Sequence, residues 1–479
     1  MLLPLRVVET QELTENTASV TISSINTKVP SGSRHLYLLV EGSVNTGGIQ
    51  GVRIQFNGDT GSNYNNQFCR GAGAGASAAI GTGETYGRIG LTNSTASLRF
   101  VSETVIPHFA NTVGHKSFVS ISGFSEAETS SHVCRWANTA AITSLVVLPE
   151  GQLLIAGTRV VLCVVDERYL IAETILSGSD GTFTFPTLPA VEGDLAVIGY
   201  LRSDRSAGAA QDGVKWEINA DTTSGNYARQ LLSGVGASVT SGSASDNRLG
   251  GDGQISDENC TSGSFAALVS TISQYNRGAD DPHCVTIVGF HSTSTLNSGV
   301  DVAIARRNNV AAVTRVDYKP QNGTNFKDGS MMGIYSVPRR LLQRQVMTGD
   351  AASVTFSSLP SNVEALIVRV YARVDGGVTS DPIDFEFNDD TTAANYDRQM
   401  IEGDGGSVAV TQSAASQTQF EVPGDSAGAD IFGGGTLTIP MHDKTDRHKV
   451  VMSMGGPAED VIQLICSRWE NNAAITKIV

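Results

Sequence analysis

The 479-residue sequence is poor in charge and in aromatics: 17% Asp, Glu, Lys and Arg, and 6% Phe, Trp and Tyr. Long helices want Ala, Leu, Glu and Lys, whereas this chain is rich in Val, Ile, Thr and Gly, so an architecture of long helices is excluded. No apolar run approaches the roughly 20 residues that a membrane-spanning helix needs. The stretch from Met1 to Thr10 is apolar but short, contains Pro4 and Arg6 and has no basic start, so no signal peptide is read there. Positive charge is scarce too. With 33 Lys and Arg against 48 Asp and Glu, the net charge is -15, which makes nucleic acid and anionic membranes poor partners. Cysteine pairs are lacking: Cys69, Cys134, Cys163, Cys260, Cys284 and Cys466 form no C-x-x-C, which argues against structural zinc. The cysteines are expected as buried free thiols, with disulfides between subunits as the alternative.

What is present is a repeat. Arg135-Trp136-Ala137-Asn138-Thr139-Ala140-Ala141-Ile142-Thr143 returns as Arg306-Arg307-Asn308-Asn309-Val310-Ala311-Ala312-Val313-Thr314. It returns again as Arg468-Trp469-Glu470-Asn471-Asn472-Ala473-Ala474-Ile475-Thr476. Upstream of each copy lies a second string: Asn57, Asp59 and Tyr64; Asn219, Asp221 and Tyr227; Asn388, Asp390 and Tyr396. The Asn-to-Arg distances are 78, 87 and 80 residues. Between them, Ile106-Pro107, Ile272-Ser273-Gln274 and Ile439-Pro440 precede His115-Lys116, His283-Cys284 and His448-Lys449. These correspondences place three units at 1–163, 164–337 and 338–479.

Within a unit the hydrophobic period is two. Val52–Phe56, Val214–Ile218 and Ile383–Phe387 alternate, and Leu36–Val40, Leu195–Tyr200 and Ala365–Val370 are short apolar runs, all punctuated by Gly, Asn, Asp and Ser. The expected fold is all-β: three tandem antiparallel β-sandwiches of jelly-roll type, each with one solvated face, strung along a rod. Past the Ala-Ala-Ile-Thr string, unit one continues with Gly157–Cys163 and unit two with Gly329–Tyr335. Unit three has only three residues beyond Thr476, so it is expected to lack a closing strand. An open edge invites another chain, and Met1–Val8 is the candidate donor.

The polar residues give no catalytic constellation. The Asn-x-Asp-Thr loops read as turns, with Asn388–Thr391 and the acidic stretch Gly250–Asn259 as weak calcium candidates. The histidines lack a recurring nucleophile or carboxylate, and read as strand-start caps. Gly424-Asp425-Ser426-Ala427-Gly428 matches G-x-S-x-G but lies in a Gly/Ser-rich stretch of a β unit, and the other units lack it. Arg135, Arg306, Arg468, Trp136 and Trp469 read as structural, with sugar stacking as the alternative.

The combination of F-N-x-D-T…N-Y, the Ile-Pro and His-Lys strand starts, and R-W-x-N-x-A-A-I-T resembles a β module of tailed-bacteriophage virion structural proteins. It spans the whole chain three times, although unit two has Ser273 for Pro and Arg307 for Trp. The resemblance implies a scaffold and no catalytic residue. The expectation is a non-enzymatic virion surface protein (decoration, collar or fibre) made in the host cytoplasm. It would form a homo-oligomer, with a trimer as one option, bind other virion proteins and need no cofactor, metal, nucleic acid or membrane. The alternative is an array of carbohydrate-binding modules contacting a host glycan, with Tyr64, Tyr227 and Tyr396 as its platforms.

Overall fold

The computed structural model describes all residues except 2, 46–47, 93–98, 125–126, 191–192, 207–210, 246–253, 274, 277–280, 292–297, 338–341, 348, 362, 415–416, 428–430 and 459. The described chain is almost wholly β-structure, and its strand ladders are antiparallel.

The first twelve strands are β1 (Leu5–Glu12), β2 (Val20–Ile22), β3 (Leu36–Gly42), β4 (Gln50–Phe56), β5 (Tyr64–Ala72), β6 (Gly75–Glu84), β7 (Gly87–Thr92), β8 (Phe100–Ile106), β9 (Lys116–Phe124), β10 (Glu128–Trp136), β11 (Leu145–Pro149) and β12 (Arg159–Val165). Twelve more follow in the same order: β13 (Leu170–Ile175), β14 (Phe183–Phe185), β15 (Asp194–Leu201), β16 (Gln211–Ile218), β17 (Tyr227–Val235), β18 (Ser238–Ala244), β19 (Gln254–Ser256), β20 (Ala266–Ser273), β21 (His283–Phe290), β22 (Gly299–Arg307), β23 (Val316–Pro320) and β24 (Met331–Val337). The last ten are β25 (Phe356–Ser357), β26 (Ala365–Ala372), β27 (Ser380–Phe385), β28 (Tyr396–Gly403), β29 (Val408–Ser413), β30 (Thr418–Pro423), β31 (Gly433–Pro440), β32 (Lys449–Gly456), β33 (Ile462–Trp469) and β34 (Lys477–Ile478).

In the first run a small sheet has the order β2-β11-β4-β7 and a large one the order β1-β12-β3-β8-β9-β10-β5-β6. Without the hairpin β8–β9 and the outer pair β12 and β1, the two orders are those of a jelly roll. The second run repeats both sheets strand for strand: β14-β23-β16-β19, and β13-β24-β15-β20-β21-β22-β17-β18. The third has the large order β26-β31-β32-β33-β28-β29, while its small-sheet strands form the pairs β25-β34 and β27-β30. Among the described residues, it therefore lacks the counterparts of β1 and β12. β12 runs on to Val165, past the boundary expected at 163.

Two expectations are corrected. The large sheets do not have a solvated outer face, and the units are not strung along a rod. Leu36, Leu38 and Val40 of β3 enter the core between the two sheets of their own sandwich. Tyr37 and Leu39, on the other face, enter a different core, built jointly by all three large sheets. Val101, Val119 and Val133 of the first sheet meet Ala196, Val269 and Ile304 of the second and Ile401, Met452 and Leu464 of the third there. A strand buried on both faces reads as a continuous apolar run, which is why Leu36–Val40 does not alternate. Corresponding strands meet one another: β5, β17 and β28 touch pairwise, as do β10, β22 and β33. The three sandwiches thus close around one axis within a single chain.

Candidate functional site

Each repeated Asn sits just after a small-sheet strand with left-handed backbone: φ is 53° at Asn57, 55° at Asn219 and 54° at Asn388. Asn tolerates that region better than most residues. Its side chain reaches the segment after the repeated Arg. Asn57 Nδ2 donates to the Ala141 carbonyl (2.8 Å), and its Oδ1 accepts from the Thr143 and Ser144 amides (2.8 and 3.1 Å). Asn219 makes the same bonds with Ala312, Thr314 and Arg315. Asn388 makes them with Ala474, Thr476 and Lys477.

The repeated Asp closes the turn and receives the residue after the Arg. Asp59 accepts from the Gly61 amide, Asn63 Nδ2 and Trp136 Nε1 at 2.8, 2.9 and 2.7 Å. Asp390 accepts from Thr392, Asn395 and Trp469 Nε1, the last at 2.8 Å. In the second unit Arg307 replaces the Trp and still reaches Asp221, at 3.4 Å, beside Thr223 and Asn226. Burial works against the charge on Asp59, Asp221 and Asp390, but these donors outweigh it and hold all three below the usual carboxylate range. Tyr64, Tyr227 and Tyr396 are buried, and each hydroxyl accepts a backbone amide, from Phe56, Ile218 and Phe387. Trp136 and Trp469 are buried as well. These rings are not stacking platforms for sugars, which corrects that alternative: their faces are spent on their own sandwich, with Trp136 stacked on Tyr64.

The repeated Arg residues have three different partners. Arg135 reaches Ser264 in the second unit, Arg306 pairs with Asp281, and Arg468 with Asp397 at 2.8 Å. They also fix the register of the neighbouring strand. Arg135 faces Ser117, Arg306 faces His283, and Arg468 faces Val450. His283 is therefore two positions out of step with His115 and His448, whose place is held by Asp281. Burial lowers His115 to about 4 and His283 to about 3. Lys116 and Lys449 cap carbonyls: Gly114 and Thr139 for the first, Arg447 and Asn472 for the second.

Two residue sets that the sequence reading missed join the units. Three positions after each repeated Tyr stands a buried Gln. Gln67 Nε2 donates to the Gly236 carbonyl (3.1 Å), Gln230 to that of Asp460 (2.7 Å) and Gln399 to that of Gly73 (3.1 Å). These bonds run from unit one to two, two to three and three to one. Seven positions after each Tyr stands Gly71, Gly234 or Gly403. A Cβ on Gly71 would lie 2.9 Å from Ile401, one on Gly234 2.5 Å from Cys69, and one on Gly403 2.8 Å from Ser241. The motif is longer than it first reads, Tyr-x-x-Gln-x-x-x-Gly in all three copies, and its second half belongs to the axis.

The seams carry further links. Tyr200 donates to the His115 carbonyl and Arg369 pairs with Asp194 at 2.6 Å. Arg447 bridges Glu41 at 3.2 Å and the Gly157 carbonyl at 2.7 Å. Beside this last seam, Arg99, Gly157, Asp446, Arg447, His448 and Asn472 line a cleft of about 380 Å³. Arg99 and Arg447 there are paired with Glu41 and Asp446. Among the described residues, no group of His, Cys, Asp or Glu is arranged to hold a metal ion, and Gly250–Gly253 lie outside the described residues. Asp425 and Ser426 sit in a turn whose backbone donates to Gly376 and Val378; Gly428 is outside the described residues. All six cysteines are buried and none is in a disulfide, and burial pushes Cys69 and Cys163 up to about 12.

No family model and no curated protein matches the chain. Among solved structures, domains LG4-5 of the mouse laminin alpha1 chain are 12% identical, covering 70% of this chain and 90% of that one, with a TM-score of 0.15. The 12:0-ACP thioesterase from Umbellularia californica is 8% identical over 54% of this chain and 75% of its own, with a TM-score of 0.08. Pseudomonas aeruginosa OccK5 is 8% identical over 88% and 97%, with a TM-score of 0.10. Superpositions this poor carry no argument about fold or function.

Proposed function

We propose that the chain is a non-enzymatic surface accessory protein of a tailed-phage particle, made in the host cytoplasm and mounted on the capsid or tail as a decoration, collar or fibre component. The observation that carries this reading is the closure of three equivalent jelly rolls around one axis. A threefold closure usually takes three chains, each offering the same patch. Here one chain supplies all three, so the body placed on the particle is a single polypeptide presenting three similar outward faces. That geometry suits a position where three neighbours of a lattice meet. The repeated polar residues support a structural role, because the Asn, Asp, Tyr and Trp side chains are bonded to one another and to backbone. The charge of -15 would face water and keep particles apart. In this reading the partners are other virion proteins and further copies arrayed by the particle, and no cofactor, nucleic acid or membrane is required.

Immunogold labelling of intact particles with antibody against this chain tests the proposal. Gold over the head is expected for decoration, and gold at the neck or tail for an attachment role. Unlabelled particles would remove the virion reading, and a glycan array would then test the carbohydrate-binding alternative.

A further inference from the structure

The three seams of the ring are built on equivalent positions, and one of them is filled differently. The strand pairings fix the correspondence: Leu36, Leu195 and Leu366 face Ile106, Ile272 and Ile439. Five residues after these leucines stand Glu41, Tyr200 and Tyr371, which face Val101, Ala267 and Gly434. Two residues before the latter stand Arg99, Phe265 and Phe432.

In the seam between units one and two, Tyr200 and Phe265 stack with centroids 4.4 Å apart, and the Tyr200 hydroxyl donates to the His115 carbonyl of unit one. In the seam between units two and three, Tyr371 and Phe432 stack at 5.2 Å, and the Tyr371 hydroxyl donates to the Asp281 carbonyl of unit two at 3.0 Å. In the seam between units three and one, the same two positions carry an ion pair. Arg99 donates to both carboxylate oxygens of Glu41, through Nη2 at 2.8 Å. The facing residue changes with them. Gly114 has no room for a side chain, because a Cβ there would run into the Tyr200 hydroxyl and lie 2.9 Å from the Phe265 ring. Its counterpart in unit three is Arg447, which reaches across the seam to Glu41 at 3.2 Å. A further position follows suit. Met331 is buried with Tyr200 and Phe265, whereas its counterpart Arg159 pairs with Glu364 of unit three.

Glu41, Arg99 and Arg447 are 3%, 5% and 6% exposed, so these charges are nearly as dry as the rings they replace. Opening the two kinds of seam has different consequences. Parting stacked rings exposes apolar surface to water. Parting a buried ion pair returns its charges to water and recovers the hydration lost on burial. Salt favours the parted charges, because the distance over which they attract one another falls from about 10 Å at 0.1 M to about 3 Å at 1 M. The other two seams also hold an ion pair, Arg34 with Glu173 and Arg369 with Asp194, but their rings must still be parted. The cleft of about 380 Å³ lies against Arg99 and Arg447, which gives water and ions a route to the charged filling. Units one and three are also not consecutive in the chain, whereas β12 of unit one leads into β13 of unit two through residues 166–169 alone.

We propose that the seam between units three and one is an ionic latch, at which the ring opens reversibly as ionic strength rises while the two aromatic seams stay closed. Opening there parts β33 from β9 and bares one side of the shared core without unfolding any sandwich. The inference rests on the ring geometry and does not depend on the phage reading.

Two native thiols report the seams. Cys466 of unit three lies against Gly123 of unit one, where an added Cβ would be 2.5 Å from its own, and Cys69 of unit one lies in the same way against Gly234 of unit two. The full chain is treated with a neutral maleimide at low and high NaCl, about 0.1 M and about 1 M. Labelling of each cysteine is read by peptide mass spectrometry against the urea-unfolded chain in the same salt. Labelling of Cys466 is expected to rise about tenfold with salt, and that of Cys69 to stay unchanged. The triple variant E41Y/R99F/R447G installs the aromatic filling at this seam and should abolish the salt response. Arg447→Met keeps the Glu41–Arg99 pair and removes the bridge, so it should bring Cys466 labelling at low salt to the high-salt level of the unmodified chain. This single variant decides the matter if the triple one does not fold. Equal salt responses at the two cysteines, or no response at either, would overturn the proposal. So would a salt response that survives in the folded triple variant, or an Arg447→Met chain that labels like the unmodified one.

Discussion

Glycine at the threefold axis is the sharpest residue-level constraint, because backbones approach there with no room for a methyl. At Gly234 an added Cβ would meet the Cβ of Cys69 at 2.5 Å and its Cα at 3.1 Å, so only a main-chain shift between units relieves it. Gly234→Ala is expected to cost about 1–3 kcal/mol, whereas Gly178→Ala, with nothing within 4 Å, should change stability by less than about 0.5 kcal/mol. Urea unfolding of the two variants checks this. The clamp aspartates give a pH dependence whose sign is fixed. Their carboxyls are held low in the fold and are ordinary in the unfolded chain, so their contribution is present above about pH 4 and is lost as pH falls through the folded value. The urea midpoint should drop between about pH 5 and about pH 3, and the triple variant D59N/D221N/D390N should be less stable at pH 6 with a shallower drop. The clamp residues were legible in the sequence because turn chemistry confines them to Asn, Asp and Tyr. The Gln and Gly of the axis obey the same repeat, but Gly is everywhere in this chain and a lone Gln has no turn signature, so only the packing gives them meaning.

At the scale of elements, the period-two runs and the Gly, Asn and Asp punctuation were enough for the all-β, jelly-roll class, but they placed a minority of the 34 strands and none of the strand order. The His motif was misaligned by two residues in the second unit, since an apolar strand start there offers no fixed polar marker and only the Arg306–His283 pairing sets the register. Both earlier copies carry an apolar run after the Ala-Ala-Ile/Val-Thr string that becomes β12 or β24, and among the described residues the third large sheet has no such strand. The exposure of β26 was not legible: it looks as apolar as β3 in sequence, yet among the described residues it has a strand neighbour on one side only. Amides at such an edge open without breaking the rest of a sheet. Hydrogen exchange of the chain alone should therefore find residues 365–372 exchanging faster than the equivalent positions of β3 and β15. Equal protection in all three strands would mean that the edge is already covered.

For the whole molecule the issue is whether three sandwiches behave as three bodies or as one. Composition could not decide, because a rod of tandem sandwiches and a closed ring have the same strands. The difference lies in the second face of each large sheet, where apolar residues on both faces of β3, β9 and β10 require a cover that water cannot supply. In the closed arrangement Val119, Val302 and Leu464 are covered by the other units, so unfolding one unit strips apolar cover from the remaining two. The full chain should then show one calorimetric transition with equal calorimetric and van't Hoff enthalpies, despite its length. The bonds that run around the axis should govern that coupling. Truncating Gln67, Gln230 and Gln399 together to Ala removes the donors from one buried carbonyl (Gly236) and two part-buried ones (Asp460 and Gly73), with the full penalty of about 1–3 kcal/mol at the first and less at the others, while touching no sandwich core. Calorimetry of this variant should show a lower Tm and a transition that broadens or separates into components. Three independent transitions in the unmodified chain would mean that the shared core does not couple the repeats, and the single-body reading would fall with it.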